Sequence, residues 1–502
     1  MIKLKNIYIG VNLVLGGLFF AQTPITLPTN PKTIYTEKGI KESEKNAQKN
    51  DENIVIKLKD TLAEKPILSP KEQLEANILT MKADPLLRNA NWGFVVYDTK
   101  TKQKITGYNE ETPLIPASTT KLLSTDASMA LLGGRFKWIT QLEYSGTIDE
   151  TGTLTGNLYI IGSGDPSMST GKAGAWSNAQ IISEYISKIS EAGIKKINGD
   201  IVIETAVFQD VRLELPEKIV WLEHNNYYLP VGNTTNIDPK NEKIAVKAKS
   251  VFDNSKRYFY VSPYMNKMAF TDKFTTNQLI TTIPAAPVTL ANALKASLIR
   301  EKIPIVGKVV TRITDPEPED REFLAKYSSP TMVEIIFYTN QHSDNALAEA
   351  LLKTVGFYKT GNVSLESGRE TIVRHLEDKR YDFEGLNLVD GSGLSRSNRV
   401  KPISQAKFLA DVMKEKYYDD FVKSLPIAGE TGTLRRMFKT SNNYGQIFAK
   451  TGTLSAVKCL AGYIKTRSGR TLTFSLLINN YAGSVDQIKA RMERLLEPVV
   501  DL

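Results

Sequence analysis

The stretch Pro116-Ala117-Ser118-Thr119-Thr120-Lys121 lies at the start of a helical pattern in this 502-residue chain. Apolar residues recur after it at helical spacing as far as Leu131, and Gly133-Gly134 then ends the pattern. Ser118 is therefore predicted at a helix N-terminus, with Lys121 three residues on and on the same face. A serine needs a base within hydrogen-bond reach to act as a nucleophile, and Lys121 is the candidate base. Ser118 as a plain N-cap is the structural alternative, and this stretch alone does not separate the two.

The string Lys450-Thr451-Gly452 follows much later in the chain. The short apolar run 447–449 before it predicts a strand, and clear strand patterns follow at 460–464 and 472–478. Lys450 is therefore predicted on the edge of a sheet, where an extended peptide can lie beside it.

Between these two stretches lies Ser343-Asp344-Asn345. It separates two helical patterns, at 332–338 and 346–352. A polar turn in that position is also consistent with a simple cap between helices. The functional interpretation depends on the order of the other two strings, which flank it.

Similar strings elsewhere compete with these assignments. The S-x-x-K string at 169–172 contains a glycine that disfavours a helix, and the one at 404–407 is interpreted as a helix cap. The one at 455–458 lies in a strand context, where residues three apart point to opposite faces. A second K-T-G string at 359–361 follows a helical pattern that ends at Gly356, and its glycine is typical of a turn. We therefore assign the nucleophile to Ser118 and the lysine of the K-T-G string to Lys450.

The length of the chain predicts two or three domains. Two lysines followed by an apolar run at 7–20 are typical of a secretory signal, which we assign to residues 1–21. An uncleaved membrane anchor is the alternative, although the run is short for a spanning helix. Residues 22–70 are rich in Lys, Glu, Asn and Thr and predict a disordered tether.

The composition argues against several other classes of protein. The single cysteine, Cys459, allows no internal disulfide and is expected to be buried and unreactive. The three histidines form no metal-ligand pattern, so no metal or other cofactor is expected. The chain contains no G-x-S-x-G string, which argues against an α/β-hydrolase. The net charge of +9 is modest for this length, and no basic aromatic motif indicates a nucleic-acid partner.

Together the three strings form the S-x-x-K, S-D-N and K-T-G set of serine enzymes that attack D-Ala-D-Ala peptides and β-lactams. From about residue 75 to the C-terminus, the chain resembles the D-alanyl-D-alanine carboxypeptidase/endopeptidase family, the class C low-molecular-mass penicillin-binding proteins. Longer strings support the resemblance: G-S-G-D-P at 162–166, N-G-D-I at 198–201, D-G-S-G-L-S-R at 390–396, K-T-G-T-L at 450–454 and L-A-G-Y at 460–463.

The resemblance implies an α+β fold. Its catalytic part is a penicillin-binding, serine β-lactamase-like transpeptidase domain with an antiparallel sheet flanked by helices, assigned to residues 71–139 and 286–502. Ser118 and Ser343 are 225 residues apart, which implies a large inserted module at 140–285. Strand patterns at 154–161, 199–203 and 243–248 predict that this substrate-recognition module is strand-rich.

The resemblance also implies a mechanism in which a covalent ester forms on Ser118 and water releases it. Lys121 takes the serine proton, and Ser343 relays a proton to the leaving amine. The supporting residues are Asn345, which holds the substrate amide, Lys450, which supports the proton relay, and Thr451, Gly452 and Thr453, which bind substrate at the strand edge.

Glu223 is the predicted contact to the side chain of the stem peptide. The family's insertion often contains W-x-D followed by G-N-Y-Y, whose aspartate binds the free amino group of a diamino acid. This chain has Trp221-Leu222-Glu223-His224-Asn225-Asn226-Tyr227-Tyr228, so a glutamate replaces the aspartate. The charge is kept on a side chain that is one methylene longer. A surface carboxylate without a binding role is the alternative.

The implied partners are peptidoglycan stem peptides and, as inhibitors, β-lactam antibiotics. The implied location is the periplasm or cell envelope, with no stable membrane span after signal cleavage. Two other functions stay open at this point: a serine β-lactamase, which deacylates penicillins quickly, and a non-catalytic module that binds the envelope or senses β-lactams.

Overall fold

In this computed structural model, backbone and side chains are described for residues 68–204, 288–312 and 319–502. Residues 286–287 and five short strands between 219 and 282 are described by their backbone alone. The signal predicted at 1–21, the tether as far as residue 67, the strand predicted at 243–248 and Glu223 all lie outside the described residues. The tether was predicted to reach residue 70, but Ser69 already caps the first helix, since its side chain accepts a hydrogen bond from Glu72 N.

The α-helices within the described residues are α1 (Pro70–Ala83), α2 (Lys121–Leu132), α3 (Asn178–Glu191), α4 (Ala286–Arg300), α5 (Met332–His342), α6 (Asn345–Thr360), α7 (Leu365–Asp378), α8 (Pro402–Val412), α9 (Tyr418–Ser424) and α10 (Val485–Leu496). None of the helices in this part of the chain is long and apolar enough to cross a membrane.

The strands are β1 (Asn91–Asp98), β2 (Gln103–Tyr108), β3 (Ile139–Ser145), β4 (Thr147–Ile148), β5 (Thr153–Thr155), β6 (Leu158–Ile161), β7 (Lys196–Ile197), β8 (Ile201–Glu204), β9 (Ile219–Leu222), β10 (Tyr227–Pro230), β11 (Phe259–Ser262), β12 (Lys267–Phe270), β13 (Leu279–Thr282), β14 (Val309–Arg312), β15 (Arg321–Ser328), β16 (Ile447–Leu454), β17 (Val457–Lys465) and β18 (Thr471–Asn479).

The first large sheet has the strand order β16-β17-β18-β1-β2, and each neighbouring pair is antiparallel. The strands β17 and β18 are rich in apolar residues, and both are buried along nearly their whole length. Strands of this composition need cover on both faces. The three strands predicted around Lys450 are confirmed as β16, β17 and β18, and each is longer than predicted. β16 is an edge strand, as expected for Lys450.

Helices supply the cover on both faces of this sheet. On one face, Leu74 of α1 and Met492 of α10 pack in the same buried cluster as Phe474 and Leu476. On the other face lies α8, whose backbone carbonyl at Ala406 accepts a hydrogen bond from Thr473 at 2.8 Å. The layered arrangement confirms the predicted α+β class, an antiparallel sheet flanked by helices.

The second large sheet has the strand order β14-β8-β6-β3-β15. β14, β8 and β6 are parallel to one another, whereas β3 is antiparallel to both β6 and β15. Apolar side chains of α3 and α4 pack with those of this sheet in a separate buried cluster. The pattern at 199–203 forms β8 of this sheet. The pattern at 154–161 is divided between β5, which lies in a separate three-stranded sheet with β4 and β7, and β6 of the large sheet. The break falls at Gly156, where a Cβ would lie 1.9 Å from the Ser145 carbonyl oxygen.

Two strands of this second sheet lie beyond residue 285, the predicted end of the inserted module. β15 pairs with β3 along its whole length, and β14 pairs with β8. The paired strands therefore extend to Ser328. Sequence patterns mark strands but not their partners, so the boundary predicted at 285 missed these two. The division into 71–139, 140–285 and 286–502 otherwise stays a prediction.

Candidate active site

Ser118 lies in a 3₁₀ turn, Ala117–Thr120, that leads directly into α2. The residue before it, Ala117, has a φ of 47°, a left-handed conformation that is costly for a residue with a side chain. The hydroxyls of Thr119 and Thr120 hold the turn by donating to the carbonyl oxygens of Pro116 and Ala117, both at 2.9 Å. Ser118 is not the N-cap of α2, because the cap position is Thr120. The N-cap alternative is therefore wrong.

Lys121 is fully buried and makes three hydrogen bonds through its ammonium group. Its Nζ lies 3.1 Å from Ser118 Oγ, 2.7 Å from Asn345 Oδ1 and 2.6 Å from the Ser392 carbonyl oxygen. A protonated lysine has three N–H donors, so these acceptors use all of them. The amine is thereby held against the serine hydroxyl in one geometry.

The environment of Lys121 raises the fraction of its neutral form. Burial lowers the pKa of Lys121 to about 8, while the carboxylates of Glu349, Asp390 and Asp344 act in the opposite direction. An amine with a pKa of about 8 is roughly one-tenth unprotonated at pH 7, compared with roughly one part in three thousand for a pKa of about 10.5. The site therefore supplies a usable population of free amine next to Ser118.

Lys450 and Ser343 form a second lysine–serine pair. Lys450 is fully buried, and its Nζ donates to Ser343 Oγ at 2.8 Å and to the Thr451 carbonyl oxygen at 2.9 Å. Burial, with smaller contributions from the charges of Lys121 and Lys458, holds the pKa of Lys450 well below its usual range. Ser343 ends α5 in a left-handed conformation with φ 57°, and α6 begins two residues later. This turn directs its hydroxyl towards Lys450.

The edge of β16 lies directly beside Ser118. A Cβ on Gly452 would be 2.7 Å from the Pro116 carbonyl oxygen and 3.0 Å from Ser118 N, so only glycine allows this approach. The N–H of Ala449 donates away from β17, to the Pro426 carbonyl oxygen. Because N–H directions alternate along a strand, the N–H of Thr453 also points to the outer edge. The strand thus presents backbone donors next to the serine hydroxyl.

The competing strings do not form comparable pairs. Lys172 contacts Asp344 rather than Ser169, and Lys407 pairs with Asp382 at 2.8 Å. Ser404 lies inside α8 and donates to the Glu384 carbonyl oxygen, so its interpretation as the helix cap is wrong; the cap position is Lys401.

The lysines of the other two competing strings also have different surroundings. Lys458 contacts Thr453 across the β16–β17 hairpin. Lys359 is exposed on α6, which continues past the predicted end at Gly356 to Thr360. Gly361 then adopts the left-handed conformation of a helix C-cap, in keeping with its predicted turn role.

The sequence did not indicate a role for the loop at Gly391 and Ser392, whose backbone holds Lys121 in place. Glu349 accepts hydrogen bonds from Gly391 N at 3.1 Å and Ser392 N at 3.0 Å, which fixes the Ser392 carbonyl against Lys121. Burial raises the pKa of Glu349. One signal was present: Glu349 lies four residues after Asn345, hence on the same face of α6.

A second unanticipated contact joins the S-D-N turn to the loop after β6. Lys172 Nζ lies 2.6 Å from Asp344 Oδ2, and both side chains are mostly buried. The other carboxylate oxygen of Asp344 caps α6 by accepting from Leu347 N at 2.9 Å. The S-D-N turn is thus fixed from two directions.

The two remaining predicted residues are Glu223 and Cys459. Glu223 lies outside the described residues, although the strands on either side of it, β9 and β10, pair with each other. Cys459 is buried as predicted, and burial raises its pKa to about 12. Within the described part of the chain, no group of three or more His, Cys, Asp or Glu side chains is placed to hold a metal ion.

Comparison with known proteins identifies the family of the chain. A model of the D-Ala-D-Ala carboxypeptidase 3 (S13) family matches residues 74–277 and 269–498. The chain belongs to this family. It is therefore a serine-type peptidase of the D-Ala-D-Ala carboxypeptidase class, and the family resemblance seen in the sequence is confirmed.

Relatives and solved structures of the same kind cover most of the chain. The D-alanyl-D-alanine carboxypeptidase DacB of Haemophilus influenzae is 26% identical over 444 residues, which are 82% of this chain and 90% of that protein. A D-alanyl-D-alanine carboxypeptidase of an Actinomadura species is 26% identical over 451 residues, 82% of each chain. The crystal structure of penicillin-binding protein 4 from H. influenzae is 24% identical, with a TM-score of 0.61, covering 82% of this chain and 97% of that one. This likeness confirms the predicted penicillin-binding fold.

Proposed function

We propose that this chain cleaves D-Ala-D-Ala peptides of peptidoglycan through an acyl-enzyme on Ser118, and that β-lactams acylate the same serine. The observation that supports this most directly is the 3.1 Å contact between Ser118 Oγ and the amine of the fully buried Lys121. The family assignment supplies the substrate class. A crystal structure of the H. influenzae penicillin-binding protein 4 contains a bound β-lactam, which is consistent with the second half of the proposal.

In the first half of the reaction, neutral Lys121 takes the proton of the Ser118 hydroxyl as Oγ attacks the carbonyl between the two D-Ala residues. The backbone N–H groups of Ser118 and Thr453 stabilise the negative charge that develops on the carbonyl oxygen. When the C–N bond breaks, the leaving amine takes a proton through the Ser343 hydroxyl, which Lys450 holds at 2.8 Å. Asn345 binds the substrate amide.

In the second half, water attacks the ester carbonyl and regenerates Ser118. Lys121 passes the proton that it took from Ser118 through the Ser343 hydroxyl to the leaving amine and is then neutral again. In the second half it takes a proton from the attacking water and returns it to Ser118 Oγ as the ester bond breaks. A β-lactam opens by the same attack. Its amine stays tethered to the acyl group and hinders the water, which leaves a long-lived ester.

The groups that recognise substrate are proposed from the strand edge. Thr451 and Thr453 bind the terminal carboxylate, and Gly452 keeps the strand close enough to Ser118 for the bound peptide to be attacked. Glu223 binds the free amino group of a diamino acid in the stem peptide. We also propose that the protein acts in the periplasm, and that it removes terminal D-Ala, cleaves D-Ala cross-links, or does both.

Labelling with fluorescent penicillin tests the central assignment. Wild-type protein should form a stable adduct that peptide mapping locates at Ser118, and Ser118→Ala should form none. Ser404→Ala is the matched control, since Ser404 begins another S-x-x-K string and should leave labelling unchanged. An adduct that survives in Ser118→Ala refutes the proposal.

Two further assays define the activity. Mass spectrometry of digested peptidoglycan separates loss of terminal D-Ala from cleavage of cross-links. Rapid turnover of a chromogenic cephalosporin, in place of a stable ester, would identify a β-lactamase instead.

A further inference from the structure

Lys458 is a third buried lysine near the active site, and neither the family motifs nor the mechanism above gives it a role. It is only 4% exposed. Its one hydrogen bond among the described residues goes from Nζ to Thr453 Oγ1, at 2.7 Å. No carboxylate in this part of the chain lies within 4 Å of its amine. Removing a charge from water without an opposite charge is costly, so such a lysine needs an explanation.

A tight hairpin brings Lys458 beneath Thr453. The two residues are directly opposite each other in the antiparallel pair of β16 and β17, so their side chains lie on the same face. Only Ser455 and Ala456 connect the strands, and Ala456 adopts a positive φ of 55° to close the turn. Thr453 itself is exposed at the edge of the sheet, whereas Lys458 is covered. A ligand at the sheet edge can therefore contact Thr453 directly, and Lys458 only through Thr453.

The hydrogen bond between them fixes the direction of the Thr453 hydroxyl. A lysine ammonium donates and cannot accept, so Thr453 Oγ1 must be the acceptor. The hydroxyl proton of Thr453 is then free to be donated outward. Thr451, by contrast, already donates its hydroxyl to Thr433 Oγ1 at 2.7 Å. Thr453 is thus the better prepared donor for a ligand that has only acceptors, such as a carboxylate.

We propose that Lys458 is a positioning residue for the substrate carboxylate: it orients the Thr453 hydroxyl as a donor and adds a buried positive charge behind it. This inference rests on the proposed function, in which Thr453 binds the terminal carboxylate of a D-Ala-D-Ala peptide. It adds a specificity determinant to the second strand of the hairpin, outside the three motifs.

The distribution of charge around the site favours the same role. The positive charge of Lys121 is opposed by Glu349, Asp390 and Asp344. Lys450 and Lys458 have no carboxylate within 4 Å in the described part of the chain, and Lys458 lowers the pKa of Lys450. A substrate carboxylate at Thr453 would supply a negative charge close to both amines. Burial, with a smaller contribution from Lys489, lowers the pKa of Lys458 to about 8 against the opposing effect of Asp486, so the amine is mostly protonated at pH 7.

The experiment compares two probes of the purified full chain. One is a peptide ending in D-Ala-D-Ala, whose kcat/KM reports carboxylate recognition. The other is a peptide boronic acid whose boron replaces the scissile carbonyl and which has no terminal carboxylate. Its Ki reports the nucleophile and the oxyanion site without the carboxylate contact.

Lys458→Met should lower kcat/KM for the peptide about tenfold and change the boronate Ki by less than about twofold, because only the peptide uses the oriented, charge-supported hydroxyl. Lys458→Arg should retain most of the activity, since arginine keeps both the donor and the charge. Lys489→Met is the matched control: it removes a neighbouring lysine that pairs with Asp486 on α10, and should leave both readouts unchanged.

A double-variant cycle tests whether Lys458 acts through Thr453. Thr453→Val removes the hydroxyl, so adding Lys458→Met should cost little more. Losses that multiply would show that the lysine acts independently of Thr453 and would overturn the proposal. Equal losses on the peptide and the boronate, or no loss on either, would also overturn it. If wild-type protein neither bound the boronate nor was labelled at Ser118, the proposed function itself would be wrong.

Discussion

The strongest test of the lysine base concerns Glu349, the carboxylate that stabilises protonated Lys121. Glu349 holds the Gly391–Ser392 backbone, and the Ser392 carbonyl in turn accepts from Lys121 Nζ at 2.6 Å. Among the charges acting on Lys121, Glu349 is the largest that raises its pKa. Glu349→Gln removes this charge while keeping the shape of the side chain and one of its acceptor oxygens.

The sign and size of the effect follow from the geometry. The backbone of one residue, Ser392, separates the two groups, which places the charges about 6–8 Å apart; at an effective dielectric of about 20 they interact by about 2–3 kcal/mol. Relaxation and solvent reduce this, so we expect the pKa of Lys121 to fall by about one unit, from about 8 to about 7. A lower pKa means more neutral amine, so the acylation profile should move to lower pH.

The assay is the second-order rate constant for acylation by fluorescent penicillin, measured from about pH 6 to about pH 9. In wild type, the rate at pH 6 should be about one-hundredth of the plateau, because the active form is neutral Lys121. In Glu349→Gln that ratio should rise to about one-tenth. Each rate is normalised to its own plateau, so a general loss from a loosened loop does not affect the ratio.

A control and a refuting outcome complete the test. Glu366→Gln removes an exposed carboxylate on α7 and should leave the midpoint at about 8. If Glu349→Gln lowers the plateau but leaves the midpoint unchanged, Glu349 acts only by holding the loop. If the midpoint moves upward, the group that titrates in acylation is not Lys121 as a base.

Two other predictions follow from the strand edge and the inserted module. Gly452→Ala places a Cβ 2.7 Å from the Pro116 carbonyl oxygen, and this forces β16 away from Ser118; acylation should slow on the order of a hundredfold, while thermal unfolding confirms an intact fold. A near-normal rate would refute this role. Glu223→Gln should lower kcat/KM about ten- to a hundredfold on peptides with a free amino group at the third residue, through loss of a charge-assisted hydrogen bond. Penicillin acylation should stay unchanged, and equal losses on both would indicate a folding defect instead.

Much of the local structure could be predicted from the sequence. The strands β16, β17 and β18 follow from apolar runs bounded by turn residues, and the helix after Ser118 follows from its periodicity and its terminal glycines. The proximity of Ser118 and Lys121 is also local, since three residues span one helical turn. These features depend on neighbours in the chain, which a pattern contains.

The hydrogen bonds that assemble the site join residues far apart in the chain. Lys121 meets Asn345 across 224 positions and Ser392 across 271, and Lys450 meets Ser343 across 107. Order along the sequence indicated that the three motifs belong together, but only packing brings their atoms within hydrogen-bond distance.

The sequence by itself determined the chemistry: the three motifs, their order and the local elements that hold each one. Only the tertiary structure decided which lysine contacts which serine, that Ser404 lies inside a helix, and that the second sheet reaches Ser328. It also revealed the supporting contacts of Glu349, Lys172 and Lys458. The physical reason is that periodicity records which face of an element is buried, whereas the partner on that face, and the pKa that burial produces, depend on the packing of the whole chain.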